Sequence, residues 1–351
     1  MIDRRTRVGF SSKYRRGSIL IYVLWISALL GFFTLSIGYG VRQKIKVVER
    51  IEARRNLRLA VESGVERALW SIHQTSNDEK KADSQISLWS HSDRLFKALS
   101  AGQVQYSVFK SPNRNSRNQD REYGLVDEES KININKLTDS KVLKVLLMLT
   151  AGTDEADSSA IADSILDWID EDDHVNASGA ETRYYQGLKR PLIPKNDRLD
   201  ALEELLYVKG MSSAILANLR PYLTLYGDGL INLNTASSPV LAAVGMDEES
   251  LSLIMTYRNG VDQKPGSEDD GVLYSPFDLL SFADNSGLLS SSARASLEQL
   301  INRGFFKVTS DYFEVYVEAS RQSGLELLTA RAVLSRENGI QSWSEVNTRR
   351  A

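Results

Sequence analysis

The sequence predicts an α+β protein led by one long N-terminal helix. Three observations predict it: an uncharged apolar run near the start, helical periodicity that continues past it, and strand-like segments on either side of a helix-rich stretch.

From Ser18 to Gly40 there are 23 residues without a charge. A helix needs roughly 20 such residues to cross a hydrocarbon core. Gly31, Gly38 and Gly40 do not oppose this, because glycine is common in membrane helices. The first 17 residues carry six Lys/Arg against a single acid, Asp3. A secretory signal peptide would have a shorter apolar region, about 7–15 residues, and a small-x-small cleavage site. Ser36-Ile37-Gly38 matches such a site only weakly. A plain membrane anchor remains as an alternative, but it leaves Gly17, at the basic-to-apolar junction, unexplained. Arg42, Lys44, Lys46 and Arg50 follow the run, so positive charge on both flanks leaves its orientation open.

The composition, 42% apolar and 25% charged, is that of a globular protein, and 351 residues admit two domains or one elaborated domain. There are no cysteines, which excludes disulfides and thiolate metal sites. The net charge of −3 is unevenly placed: +10 over residues 1–60 and −13 over the rest. The acidic body is a poor polyanion binder.

Beyond Val41 the helix pattern continues to about His73, with no proline and only Gly64 as glycine. Val61, Val65, Ala68 and Ile72 recur at spacings of three and four, which makes one apolar face. A single helix from Ser18 to Ile72 would be roughly 80 Å long. The polar cluster Asn77-Asp78-Glu79-Lys80-Lys81 ends it. Gln103 to Phe109 alternates as a strand, with shorter extended candidates at Tyr123–Val126 and Ile132–Asn135 and a turn-like stretch from Arg114 to Arg121. Asp311–Ala319 and Leu325–Leu334 read as an antiparallel hairpin around the turn Gln322-Ser323-Gly324. Residues 138–172 and 200–225 carry helical apolar spacing, and 136–228 reads as an inserted, mostly helical domain. Residues 41–135 and 229–351 are then the two parts of the sheet-bearing body.

A short echo links Ile132-Asn133-Ile134-Asn135 to Ile231-Asn232-Leu233-Asn234. Each precedes helix-like sequence, with Asn and Thr as N-cap candidates and Pro239 suited to a first turn. Two similar strand-to-helix joints explain it as well as a duplication does.

The densest acidic stretch is Asp163, Asp167, Asp170, Glu171, Asp172 and Asp173, followed by Glu181. Carboxylates this close repel unless a cation joins them. Asn176, Ser178 and Gly179 make the loop oxygen-rich, which suits a hard cation such as Ca²⁺. The spacing is not that of an EF-hand, and a merely solvated acidic loop is the rival reading. Val208-Lys209-Gly210-Met211-Ser212 resembles the hairpin of a helix-hairpin-helix module, although a tight helix turn explains it equally. His73, His91 and His174 are scattered, and His174 reads as an exposed residue. No nucleophile with its base, P-loop or dinucleotide motif is evident.

The basic leader ending in Gly17, followed directly by the apolar helix, resembles a type IV prepilin. In that family a prepilin peptidase cuts after the glycine, here between Gly17 and Ser18, and the apolar helix is kept. Most pilins carry Glu at the fifth mature position; here it is Tyr22. Protein K of type II secretion typically lacks that Glu. Asp167-Trp168-Ile169-Asp170-Glu171-Asp172, Gly179-Ala180-Glu181, Tyr184-Tyr185, Pro194-Lys195-Asn196, Glu203-Glu204-Leu205 and Val208-Lys209-Gly210-Met211 resemble, in order, the helical insertion of that family. Asp127-Glu128-Glu129-Ser130-Lys131-Ile132-Asn133 and Ile231-Asn232-Leu233-Asn234 fit it too.

The resemblance implies a pilin-like fold: the long helix on an antiparallel sheet, with the helical insertion. It implies Ca²⁺ held by Asp170, Asp172 and Glu181, with Asn196 as a further ligand. It implies a minor pseudopilin that starts or caps a short pseudopilus, with no catalysis or nucleic acid. The partners would be the I and J proteins, with the H protein as a further candidate, the major pseudopilin, the prepilin peptidase and the inner-membrane secretion platform. The protein would cross the inner membrane once, with its N-terminus cytoplasmic and its body periplasmic. A membrane-anchored Ca²⁺-dependent hydrolase using the Asp167–Glu181 carboxylates, and a DNA-uptake pseudopilin using the hairpin, are the alternatives.

Gly17→Val should block processing, because a branched side chain at the scissile bond obstructs the peptidase. The expected product is a membrane-inserted precursor about 17 residues longer than the mature chain, as counted from the leader. Mass spectrometry of the purified protein checks this, and a chain of mature length from the variant would contradict it.

Overall fold

The computed structural model describes residues 18–76, 82–111, 121–321 and 327–346. Gly17 and the leader, the 77–81 cluster, nearly all of the 114–121 stretch and the Gln322-Ser323-Gly324 turn lie outside the described residues. The chain divides into two units, residues up to Asn56 and residues from Leu57 onward.

The first unit contains the start of helix α1 (Ser18–Ser76). Ile21, Tyr22, Trp25, Leu29, Phe32 and Ile37 are all exposed along it. The helix is long and apolar enough to cross a membrane, which fits a single-pass anchor.

The second unit begins within α1 and contains two cores. Its sheet elements are α2 (Asp93–Phe96), β1 (Leu99–Ala101), β2 (Val104–Phe109), β3 (Val126–Asp127), β8 (Tyr312–Arg321), β9 (Leu327–Ser335) and β10 (Gly339–Val346). Its helical elements are β4 (Ile132–Asn133), α3 (Ser140–Ala151), α4 (Glu155–Ile169), α5 (Thr182–Gln186), α6 (Ser213–Leu219) and β5 (Leu223–Thr224), then β6 (Ile231–Asn232), α7 (Ser238–Ala243), α8 (Glu248–Arg258), α9 (Asp278–Ser286), α10 (Ser291–Asn302) and β7 (Phe306–Lys307).

The antiparallel sheet has the order β1-β2-β8-β9-β10, with β3 also paired to β8. The expected β8–β9 hairpin pairing is present, with Val317 opposite Ala330 and Val315 opposite Ala332. The α1 face read from the sequence is buried on this sheet. Leu57, Val61, Val65, Ala68 and Ile72 share a core with Val104, Val108, Phe313, Val315, Val317, Ala330 and Ala332. Gly64 marks the close approach: a Cβ there would lie 2.5 Å from Val317 Cγ1. Trp89 closes the end of this core on Phe313, with ring centroids 4.8 Å apart.

The helical part runs further than expected. Leu143, Leu146, Ile161 and Ile165 share one continuous core with Leu241, Ile254, Leu280, Leu297 and Ile301. The return to the sheet, placed at 229 from the sequence, comes instead at β8. The reason is packing: α7 packs on α3 and α8 on α7, which places their apolar faces in the helical core, while α1 packs on the sheet.

The short echo extends into two matching modules. Each starts on a two-residue strand that pairs in parallel with a strand at the end of the same module: Ile132 with Leu223, and Ile231 with Phe306. The second asparagine of each clasps a distant leucine backbone. Asn135 donates to Leu199 O (3.0 Å) and accepts from Leu199 N (2.8 Å). Asn234 does the same with Leu273, both at 2.9 Å. The asparagines are not caps of the long helices as expected. Asp139 caps α3 through its side chain, while Asn133 caps only the 3₁₀ turn Ile134–Lys136. Pro239 does sit in the first turn of α7.

The run Asp127-Glu128-Glu129 joins the two cores. Asp127 Oδ2 accepts from Ser310 Oγ (2.6 Å), Thr235 Oγ1 (2.5 Å) and Asn232 Nδ2 (3.0 Å). Glu128 accepts from the buried Lys131 amine at 2.5 Å, which also reaches Glu314 (3.3 Å). Glu129 accepts from Lys307 Nζ and from Asp311 N, both at 2.6 Å. Burial pushes the Asp127 carboxyl up to about 7, against the opposing pull of the Ser310 and Thr235 hydroxyls.

An unfolded Asp titrates near ~3.9. Between that pH and about 7 the folded protein therefore holds a proton on Asp127 that the unfolded chain lacks. The stability from this group is fully present at low pH and is lost as pH rises through that window. Asp127→Asn does not titrate, so the stability difference should move in its favour as pH rises from about 4 to 7. Urea midpoints across the range check this; a difference independent of pH would contradict it.

Candidate cation site

The C-terminal end of α4 brings the first acidic groups together. Asp167 and Asp170 are three residues apart and so share one side of the helix end. A helix C-terminus carries partial negative charge, so carboxylates are disfavoured there unless they are compensated.

Asp167 is fully buried and organises the loop that follows. Its Oδ1 accepts from Asn176 N (3.1 Å) and Asn176 Nδ2 (2.6 Å), and its Oδ2 from Ala180 N (2.6 Å). Gly179 lies directly on this carboxylate, where a Cβ would be 1.8 Å from Oδ2. The loop then returns Glu181 toward Asp170. Ligand oxygens of Asp167, Asp170 and Glu181 lie within 4.8 Å of one another.

Four oxygens here are buried without a hydrogen-bond partner: both of Glu181, Oδ1 of Asp170 and Oδ1 of Asn196. Asn196 holds a left-handed backbone (φ +47°), which asparagine tolerates better than most residues. Its N–H donates to Trp168 O (3.0 Å) and its Nδ2 to Asp172 O (3.0 Å). Burial pushes Glu181 up to about 7, and the neighbouring Asp167 and Asp170 add to the shift. Asp170 is raised by burial and by Asp172 and Asp167. An uncompensated buried oxygen costs free energy, and several together demand protonation or a cation. The donors are all carboxylate or amide oxygens, the set that suits a hard cation such as Ca²⁺.

Of the residues picked from the sequence, the structure brings Asp170 and Glu181 together and ties Asn196, with its Oδ1 buried and unpartnered, to the Trp168 and Asp172 backbones. It does not bring in the Asp172 carboxylate, which is exposed and accepts from His174 N (2.7 Å) and Nδ1 (3.0 Å). Asp172 contributes its backbone carbonyl to Asn196 instead. Asp167 is the residue the ligand choice left out; its spacing of three from Asp170 was the available signal. His174 is exposed, as read.

A second acidic group, Asp262, Asp269 and Asp270, follows α8. Asp262 and Asp269 are exposed and Asp270 is half-buried, and the carboxylates accept from their own loop, as when Asp269 takes Val261 N (2.6 Å) and Ser267 Oγ (2.6 Å). It lacks the buried, unpartnered oxygens of the first site.

One comparison with known proteins falls on the same region. The family model for protein K of the type II secretion system (T2SS) matches residues 130–228. Over 112 residues the chain is 34% identical to type II secretion system protein K of Pectobacterium carotovorum subsp. carotovorum, covering 30% of this chain and 34% of the relative. It is 37% identical to the protein K of Dickeya chrysanthemi over 112 residues, 30% of each chain. The matched part thus spans about a third of the length of these two relatives. A crystal structure of the GspK-GspI-GspJ complex from the enterotoxigenic Escherichia coli type 2 secretion system contains a chain of similar fold. The TM-score is 0.64 at 19% identity, over 86% of this chain and 100% of that one. The expected fold and the resemblance to protein K are borne out, the latter in the stretch that carried its motifs.

Proposed function

We propose, on the premise that residues 130–228 are a protein K segment, that this chain is a minor pseudopilin of type II protein secretion. It would help to start or cap the pseudopilus that drives export of folded proteins. The observation that carries the reading is one chain combining an uncharged helix headed by a basic, glycine-ended leader, a sheet that packs that helix, and the protein K segment between its strands. The apolar helix would cross the inner membrane with the leader inside and the acidic body in the periplasm. The I and J proteins are the proposed partners; the similar fold occurs in a complex that contains proteins of those names. The relatives are named as secretion-system proteins, which supports an assembly role over a hydrolase.

Tyr22 and the helical insertion support a position at the end of the pseudopilus. A membrane-embedded carboxylate at this position would pair with the N-terminal amine of a neighbouring subunit, and an unpaired charge in lipid is costly. Tyr22 brings no carboxylate, so the chain gains nothing from sitting above another amine. The helical core, which extends to Ile301, would crowd a regular lattice. Both fit the distal end, at few copies per pseudopilus. Immunogold labelling should be confined to one end, and Tyr22→Ala should still assemble. Label spread along the shaft, or loss of assembly without loss of expression, would contradict this.

We further infer that Asp170, Glu181 and Asn196, with Asp167 behind them, bind Ca²⁺. Saturation at a hundred times Kd stabilises by about 2.7 kcal/mol, roughly 4 °C in melting temperature for a body of this size. Chelation should remove that shift. Asp170→Ala should abolish the response to calcium, while Asp172→Ala should retain it. Identical melting curves with and without chelator would count against the site.

A further inference from the structure

Lys209 lies in the tight Val208–Ser212 turn whose sequence resembles a phosphate-gripping hairpin, and its amine is engaged within the chain. Nζ donates to Ser178 O (3.1 Å) and to Gly179 O (3.0 Å), thirty residues away. It also stands 5.3 Å from the ring centroid of Tyr184. The backbone N–H of Lys209 donates to Tyr185 Oη at 3.2 Å. The next residue, Gly210, has φ +81°, and a Cβ there would lie 2.8 Å from Ile161. The turn is thus set against α4, the helix that ends in Asp167 and Asp170.

The acidic loop is therefore gripped from two directions. Asp167 accepts the N–H groups of Asn176 and Ala180, while Lys209 donates to the carbonyls of Ser178 and Gly179. Ala180 and Glu181 follow directly. An ammonium has three donors and no acceptor, so it can satisfy two carbonyls and still face a ring. Removing it leaves the Ser178 and Gly179 carbonyls without that donor, at the residues just before Glu181.

We propose that Lys209 is a positioning residue for the cation site, fixing the loop at Ser178 and Gly179 so that Glu181 meets Asp170. This rests on the calcium reading of the site. Partners that orient metal ligands typically change metal affinity by about ten- to a hundredfold when removed.

The test is calcium titration by calorimetry on the full chain in detergent, with chelator-treated protein as the start. Wild type, Lys209→Met, Lys209→Arg and Asp170→Ala are compared. Lys209→Met should weaken Ca²⁺ binding about tenfold, and Lys209→Arg should recover much of it. Hydrogen exchange at the Ala180 amide in the calcium-free state should be faster in Lys209→Met than in wild type. Two results would overturn the proposal while leaving the calcium site standing: unchanged affinity in Lys209→Met with only a lower melting temperature in chelator, or tighter binding, which would mark the ammonium as a repulsive charge. No binding by wild type would overturn the calcium reading itself, and this inference with it.

Discussion

One buried carboxylate ties together the two places where the chain crosses between sheet and helices. Asp127 ends β3, and Ser310 precedes β8; the hydroxyl of Ser310 and the amide of Asn232 meet on Asp127 Oδ2. Asp83 joins the same joint, accepting from Ser310 N (2.8 Å) and from Arg336, whose guanidinium also reaches Ile72 O near the end of α1 (2.7 Å). Helix, sheet and both helical modules thus converge on a few buried polar groups. Such groups stabilise only when every partner is present, so the joint admits few alternative arrangements of the two cores. Glu128 and Glu129 extend it outward through Lys131 and Lys307.

The two modules share a scaffold and differ in what they do with it. Each opens on an Asn-x-Asn strand, places two helices after it, and uses the second asparagine to clasp a leucine backbone downstream. Acidic loops follow the second helix in both. In the first, the loop turns inward and buries carboxylate oxygens without partners. In the second, the loop stays exposed and satisfies its carboxylates with its own N–H and hydroxyl groups. The difference lies in what the helix end supplies: Asp167 collects the inward loop in the first module, whereas the second ends in Arg258, which donates to Ala236 O at 2.6 Å.

That asymmetry is why the proposed calcium site falls in the first module rather than the second. Asp167, saturated by three N–H groups, acts chiefly as the loop's organiser, while both Glu181 oxygens and Asp170 Oδ1 stay without a hydrogen-bond partner. Lys209 completes the enclosure from the outer side. The turn that carries it resembles a nucleic-acid motif by sequence, yet its cation faces protein carbonyls and a tyrosine ring.

Periodicity alone identified the inner face of α1, because the side chains a helix presents to one side depend only on local spacing: Val61, Val65, Ala68 and Ile72 are all buried. Alternation likewise identified the β8 face, with Phe313, Val315 and Val317 inward. The uncharged run and the glycine at its edge were also local signals. The sequence could not say that residues 238–302 pack with the first helical module, since an amphipathic face does not name its partner. The spacing of three from Asp170 pointed to Asp167, but the sequence could not say that the Asp172 carboxylate is turned away. Both lie in one acidic run, and only the fold of the loop turns one carboxylate inward while leaving the other to His174 in solvent. The asparagine clasps and the Lys209 tether join residues about 30 to 65 positions apart. Contacts at that separation have no sequence period; the tertiary structure decided them by bringing the two backbones together.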